Sequence, residues 1–360
     1  MTPSSGSILP NLYGLRFLAA TVVLLGHGQQ NLQQLNISVP DWPLFSKGSL
    51  AVLFFFNLSG FLLAYLAQSS MEKFSAASFF KRRFARIVPL YLLVVLGGFL
   101  FLTTVLPAIT GERYLNFNIG SGLLLYVFLL PNLAIQVLAP PFGGLYLLWS
   151  IGSEVQFYLL FPFLILFLPF KNQRLIGFAV LSLSWSVLNP IVTSTLSTTW
   201  SHFVDTIPFQ YMFAGAFWGI LLTSRLKPAS RRKLWETACF PITGLFSLLL
   251  FTTRWEEYLP FYNFWLPWIW GLTLYLFAQQ RIGLLEHRIM VLGGTISYGI
   301  YLMHPWISYP VRWLFQKALF LSQFSWMTYL LVLFLLTYLL AWFIYRYYEH
   351  PLRIRFVNRT

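Results

Sequence analysis

Apolar residues run through this chain in long blocks separated by short polar links. Blocks of spanning length lie at 12–30, 49–68, 87–106, 146–168, 175–188, 207–223, 237–253, 264–279, 291–311 and 326–345. An eleventh apolar block, 121–138, is followed at 139–144 by AlaProProPheGlyGly, a helix-breaking link. In lipid each block must satisfy its own backbone, which leaves the helix as its form. The pattern predicts an all-α, polytopic transmembrane bundle of about ten spans. Residues 121–138 are expected to be re-entrant or interfacial, and eleven spans is the rival count. No long polar stretch and no internal repeat interrupts the pattern, so 1–360 is expected to be one transmembrane domain.

Composition strengthens this reading. The chain is 58% hydrophobic and only 9% charged, whereas a soluble domain carries about 25% charged residues. A soluble binding module is therefore excluded. The 14 Trp and 19 Tyr suit interfacial belts. A net charge of +14 would elsewhere suggest nucleic acid. Here the charges sit in short loops, and insertion topology accounts for them. With both termini in the cytoplasm, eighteen of the 24 Lys and Arg fall inside and five outside, Arg16 being intramembrane. That bias follows the positive-inside rule. The single cysteine, Cys239, permits no intrachain disulfide and no cysteine metal cluster. No cleavable signal peptide is expected, so the first helix is retained.

The first block holds the unexpected chemistry. Arg16 and His27 are eleven residues apart, close to three full turns. They share one helix face, about 16 Å apart along the axis. Ionisable groups inside a membrane are costly and point to function. His27 is expected near the outer face, either as a helix-end histidine bonded to a carbonyl or as a general base on an outward cavity. Glu154 is expected to be the one acidic residue inside a span. It should be protonated or paired, with His27 as an oriented base or with Arg16 as an ion pair; its depth points to His27. Lys81 and Arg82 read as ordinary inner-face charge. Arg83 and Arg86 share a helix face at the membrane entrance, where two guanidiniums would bind phosphates. His304, before Pro305, lines a cavity or bonds a freed carbonyl. Ser59 and Gly60 either pack or approach a ligand. His202, His287 and His350 read as solvated.

Together these motifs resemble the acyltransferase 3 family of membrane O-acyltransferases. GlyLeuArgPheLeuAla through GlyHisGly (14–28) resembles its first span. PhePheAsnLeuSerGlyPheLeuLeu (55–63) and ArgPheAlaArgIleValProLeuTyr (83–91) resemble its Ser-Gly-Phe and paired-arginine motifs. LeuTrpSerIleGlySerGluValGlnPheTyrLeuLeuPhePro (148–162) resembles its Trp-Ser…Glu…Phe-Tyr helix, with Trp149 and Ser150 as cavity candidates. SerTyrGlyIleTyrLeuMetHisPro (297–305) and GluHisProLeuArg (349–353) resemble its late histidine helix and the end of its core. Asn57 and Gly152 depart from what the family would place there.

The resemblance implies transfer of an acyl group, most often acetyl, from cytoplasmic acyl-CoA to a hydroxyl of an envelope carbohydrate. It implies a plasma (inner) membrane location. Acyl transfer itself needs no metal and no metal-ligand spacing is seen, the charge placement points to no nucleic-acid partner, and the esterase-like domain that some family members append is not expected here. His27 would be the catalytic histidine, Arg16 a pore-lining cation, Glu154 an essential acid, and Arg83 and Arg86 the CoA-side arginines. Arg16, or a backbone donor near Ser59 and Gly60, would stabilise the oxyanion. Direct transfer and an acyl-His27 intermediate both remain compatible with the sequence. The rival function is a transporter or flippase for a glycan or lipid-linked sugar, which would more often show inverted repeats.

Overall fold

The computed structural model describes residues 9–111, 119–138, 143–223, 230–254, 261–317 and 326–357. Arg113, Arg225, Lys227, Arg359 and the link at 139–142 lie outside them. The described chain is built from helices, as lipid requires. Pro10 opens the first helix, Pro10–Gln34, where a missing N–H costs nothing. Ser75 caps the third, Ala76–Leu100, its hydroxyl accepting from the Ser78 amide at 3.4 Å.

Among the described residues, five helical runs are long and apolar enough to cross a membrane: Gly48–Ser69, Ala76–Ile109, Gly144–Phe167, Lys171–Thr195 and Trp326–Phe356. The other expected spans are helical but shorter or more polar. Phe209–Leu222 has 14 residues, about 21 Å of helix, against an apolar core about 30 Å thick. The 291–311 block is not one helix. It divides at Ile296 into Arg288–Thr295 and Ser297–Lys317. Gly293 and Gly294 press against Phe17 and the Tyr13 backbone there, and the Ser297 hydroxyl bonds the Gly294 carbonyl at 2.9 Å. The 121–138 block is two short helices, Ile119–Val127 and Pro131–Val137, parted by Leu129 at φ 63°. Neither piece is long enough to span alone.

Side-chain bonds sort the helix ends into two groups. Asn11 donates to the carbonyls of Phe277 and Gln280 at 2.9 and 2.6 Å. Arg174 donates to Gln68 at 2.9 Å, and Lys171 to Thr223 at 3.0 Å. At the opposite end Arg254 pairs with Asp41, and Arg312 donates to Gln34. Lys171 and Arg174 thus share an end with the close of the helices Gly48–Ser69 and Phe209–Leu222.

Glycines set the tightest packing. A Cβ on Gly60 would lie 2.0 Å from the Met212 carbonyl oxygen, and one on Gly215 would lie 2.0 Å from that of Asn57. Helices Gly48–Ser69 and Phe209–Leu222 therefore touch backbone to backbone, the small-residue packing of membrane interiors. Both departures from the family pattern have packing roles. Asn57 donates to the Pro267 carbonyl at 2.7 Å. Gly152 admits Pro131 and Asn132 of the short helix.

Candidate active site

Among the described residues, two adjoining cavities hold charged residues of the first, third and Trp149–Phe167 helices. The smaller, about 70 Å³, is lined by Arg16, Arg86, Glu154, Ser59, Ser150 and Tyr298. The larger, about 1360 Å³, is lined by His27, Trp149, several amide side chains and Arg312. Val52 and Tyr301 line both and form the wall between them. Arg16 and His27, though on one helix, open into different cavities.

Glu154 sits at the centre of the smaller cavity's hydrogen bonding. Its Oε1 accepts from the Ser59 hydroxyl at 2.5 Å and from the Tyr158 hydroxyl one turn along its own helix. Neither expected partner, His27 or Arg16, is hydrogen-bonded to it. The physical reason is helix rotation: Ser59 and Tyr158 face Glu154 directly, while His27 opens on the far side of the Val52–Tyr301 wall. Among the described residues no carboxylate lies within 4 Å of Arg16 or Arg86. The cavity thus holds two guanidiniums against one carboxylate, an environment that attracts anions.

The two arginines of the third helix part company. Arg86 lines the cavity. Arg83 lies over the rings of Phe79 and Tyr158, 5.9 and 5.7 Å from their centroids. A bidentate pair facing one ligand, as expected from their spacing, is therefore not what the side chains form.

His27 Nδ1 is 3.0 Å from Gln30 Oε1. An amide oxygen only accepts, so Nδ1 carries the proton and Nε2 keeps its lone pair. The imidazole is thus set as a base at the wall of a large polar cavity. By helical rise Arg16 is about 16 Å away. Its side chain lines the smaller cavity and not the one that His27 lines. Ser59 and Gly60 lie inside the helix Gly48–Ser69, where the helix ladder occupies their backbone N–H groups.

Of the remaining candidates, Trp149 lines the larger cavity and packs against Phe56 at 6.1 Å. Ser150 bonds the Tyr301 hydroxyl at 2.7 Å, and that hydroxyl donates to the Leu147 carbonyl at 3.0 Å. His304 lines neither cavity. It is 1% exposed, with Nδ1 donating to the Ile300 carbonyl at 3.2 Å and its ring 5.2 Å from that of His27. His202 is exposed and lines the larger cavity, in keeping with its solvated reading.

Sequence reasoning missed Gln30, Tyr158, Tyr301 and Glu349. The first two carried a signal, being three residues after His27 and four after Glu154, hence on their faces. Glu349 is a second acidic residue within a spanning run, because the last helix continues through a π turn at Tyr345–Glu349. Among the described residues no group of three His, Cys, Asp or Glu is placed to hold a metal ion.

The acyltransferase 3 profile, described as an acyltransferase domain, matches residues 9–346. The chain belongs to that family. It is 29% identical over 382 aligned residues to the peptidoglycan O-acetyltransferase OatA of Listeria monocytogenes, covering 98% of this chain and 57% of that protein. It is 26% identical to the O-acetyltransferase OatA of Staphylococcus aureus, covering 96% of this chain and 57% of that one. Acyltransferase MdmB of Streptomyces mycarofaciens is 34% identical over 157 residues, 43% of this chain and 38% of MdmB. The chain thus spans little more than half the length of the OatA relatives. No solved structure matches it.

Proposed function

We propose that this acyltransferase-family chain is an integral-membrane O-acyltransferase. It moves an acyl group, acetyl in the simplest case, from cytoplasmic acyl-CoA to a hydroxyl of a cell-surface carbohydrate. One observation carries the reading: a histidine held by Gln30 with its Nε2 lone pair free, on the wall of a cavity of about 1360 Å³. The family match, and OatA relatives named for O-acetyl transfer, support the reaction class.

The positive-inside bias supports ten crossings with both termini in the cytoplasm, in a plasma (inner) membrane. The smaller cavity then opens the donor side. Arg86, with Arg16 above it, attracts the phosphate-bearing end of acyl-CoA, while the pantetheine arm extends past the Tyr301–Val52 wall towards His27. Arg83 supports this site through Phe79 and Tyr158. The carbohydrate enters the larger cavity from outside, beside Trp149.

The acceptor hydroxyl gives its proton to His27 Nε2 as its oxygen attacks the thioester carbonyl. The tetrahedral intermediate collapses with cleavage of the carbon–sulfur bond. The departing CoA thiolate takes the proton back from the imidazolium. The products are an O-acyl ester and CoA thiol, and His27 is restored.

The test is CoA release from acetyl-CoA by membranes carrying the protein, with extracted envelope glycan as acceptor. Release that depends on both glycan and His27 is expected, and His27→Ala should lose about 10²–10⁴-fold. Equal release by an abundant, folded His27→Ala variant would overturn the role of His27. CoA release by the native protein that does not respond to glycan would overturn the acceptor assignment.

A further inference from the structure

His304 is unused by this mechanism, yet its setting is specific. It is 1% exposed, and its Nδ1 proton is committed to the Ile300 carbonyl. That fixes the tautomer and leaves a lone pair on Nε2. Among the described residues Nε2 is buried with no hydrogen-bond partner. Buried polar atoms in native proteins are usually satisfied, so an orphan needs an explanation. A second proton on Nε2 would also find no acceptor and would bury a charge. The ring is therefore a fixed, neutral dipole with an unpartnered negative end.

Its neighbour is His27. The ring centroids are 5.2 Å apart and the planes are inclined by 30°. Charge appears on His27 only while it holds the substrate's proton. A neutral dipole set beforehand beside that position stabilises the charge without reorganising. The ring face contributes in the same sense, since cations are attracted to aromatic faces within about 6 Å.

We infer that His304 is a positioning residue that stabilises the transient imidazolium of His27 through its unpartnered Nε2. The proton path is unchanged: acceptor hydroxyl to His27 Nε2, then to the CoA thiolate. His304 gains and loses no proton. The backbone supports the geometry, because His304 precedes Pro305 and lies one turn after Ile300 in the helix Ser297–Lys317.

This inference rests on the acyl-transfer reading, and its test separates the two. Purified full-length protein would be assayed for kcat and for both KM values as His304→Phe and His304→Gln. Phe keeps a ring and removes the lone pair; Gln returns an acceptor oxygen. His304→Phe is expected to lower kcat about 10- to 100-fold, as for a lost bond to a charged group, with both KM values within about twofold. His304→Gln is expected to recover most of kcat.

Undiminished kcat in a folded His304→Phe variant would overturn the inference. So would a loss confined to KM, or an equal kcat loss in Phe and Gln variants with the same melting temperature as the parent. Should Phe not fold, a His304→Gln variant as impaired in kcat as His304→Leu would overturn it. A parent protein that releases no CoA with any glycan would instead count against the proposed function.

Discussion

Gln30 accepts a hydrogen bond from His27 Nδ1 at 3.0 Å, one turn further along the same helix. A neutral amide thus does what a carboxylate would do in a charged pair, fixing the tautomer without adding charge. Gln30→Leu should free the ring to take the other tautomer and to rotate. A neutral hydrogen bond contributes about 0.5–1.5 kcal/mol, so kcat should fall about 2- to 10-fold. Gln30→Glu keeps an acceptor at the same reach and should retain activity. Steady-state CoA release checks both. Full activity in Gln30→Leu would show that the tautomer is set by something else.

The Ser59–Glu154–Tyr158 cluster joins two helices through one carboxylate oxygen. Removing a donor to a charged group costs about 1.5–3 kcal/mol. Ser59→Ala should therefore lower the melting temperature of the detergent-purified protein while leaving CoA release per folded molecule largely intact. Glu154→Ala should be worse on both counts, since it strands both hydroxyls and removes the carboxylate that shares the smaller cavity with Arg16 and Arg86. Melting curves with activity normalised to folded protein distinguish the two. A Ser59→Ala variant as inactive as His27→Ala would give Ser59 a direct role in the chemistry.

Arg83 and Arg86 should separate experimentally. Arg86 faces the smaller cavity and Arg83 lies on the Phe79 and Tyr158 rings. Arg86→Ala should raise the acyl-CoA KM about 10- to 100-fold, the loss of one charge-assisted phosphate contact. Arg83→Ala should mainly lower stability, by about 0.5–2 kcal/mol for a lost cation–π contact. Arg83→Lys should not restore it fully, since a compact ammonium does not stack as a guanidinium does. Equal KM effects from both alanine variants would return Arg83 to the donor site.

What the sequence made legible is what one helix determines alone. Hydropathy blocks located the helices, and a separation of eleven residues put Arg16 and His27 on one stripe. The stripe then crosses two cavities, because Val52 and Tyr301 come from other helices and divide it. No spacing within the first helix carries that information. The partner of Glu154 was hidden for the same reason. Depth alone matched it with His27, but the rotation of its helix against Gly48–Ser69 delivers Ser59, beside Tyr158, which the four-residue spacing did signal. Gly60 had two readings, and only the approach of the Met212 backbone chose packing. The break at Ile296 was masked by continuous apolarity, and its cause is the contact of Gly293 and Gly294 with the first helix.

Tyr301 separates the two cavities, and its hydroxyl is tied to Ser150 at 2.7 Å and to the Leu147 carbonyl at 3.0 Å. On the proposed path the pantetheine arm passes this ring on its way to His27, so the ring would close the passage around the arm and limit the water that reaches the thioester from the small cavity. Exclusion of water protects reactive intermediates from hydrolysis. Tyr301→Ala should remove the wall and let water act as acceptor. CoA release without glycan should then rise while glycan acylation falls. Tyr301→Phe keeps the ring and loses only the two hydrogen bonds, so it should leak less than Tyr301→Ala. The measurement is the ratio of ester formed to CoA released, which should drop in the order native, Tyr301→Phe, Tyr301→Ala. An unchanged ratio in Tyr301→Ala would mean that the barrier to water lies elsewhere, with Val52 as the next residue to replace, since it lines both cavities.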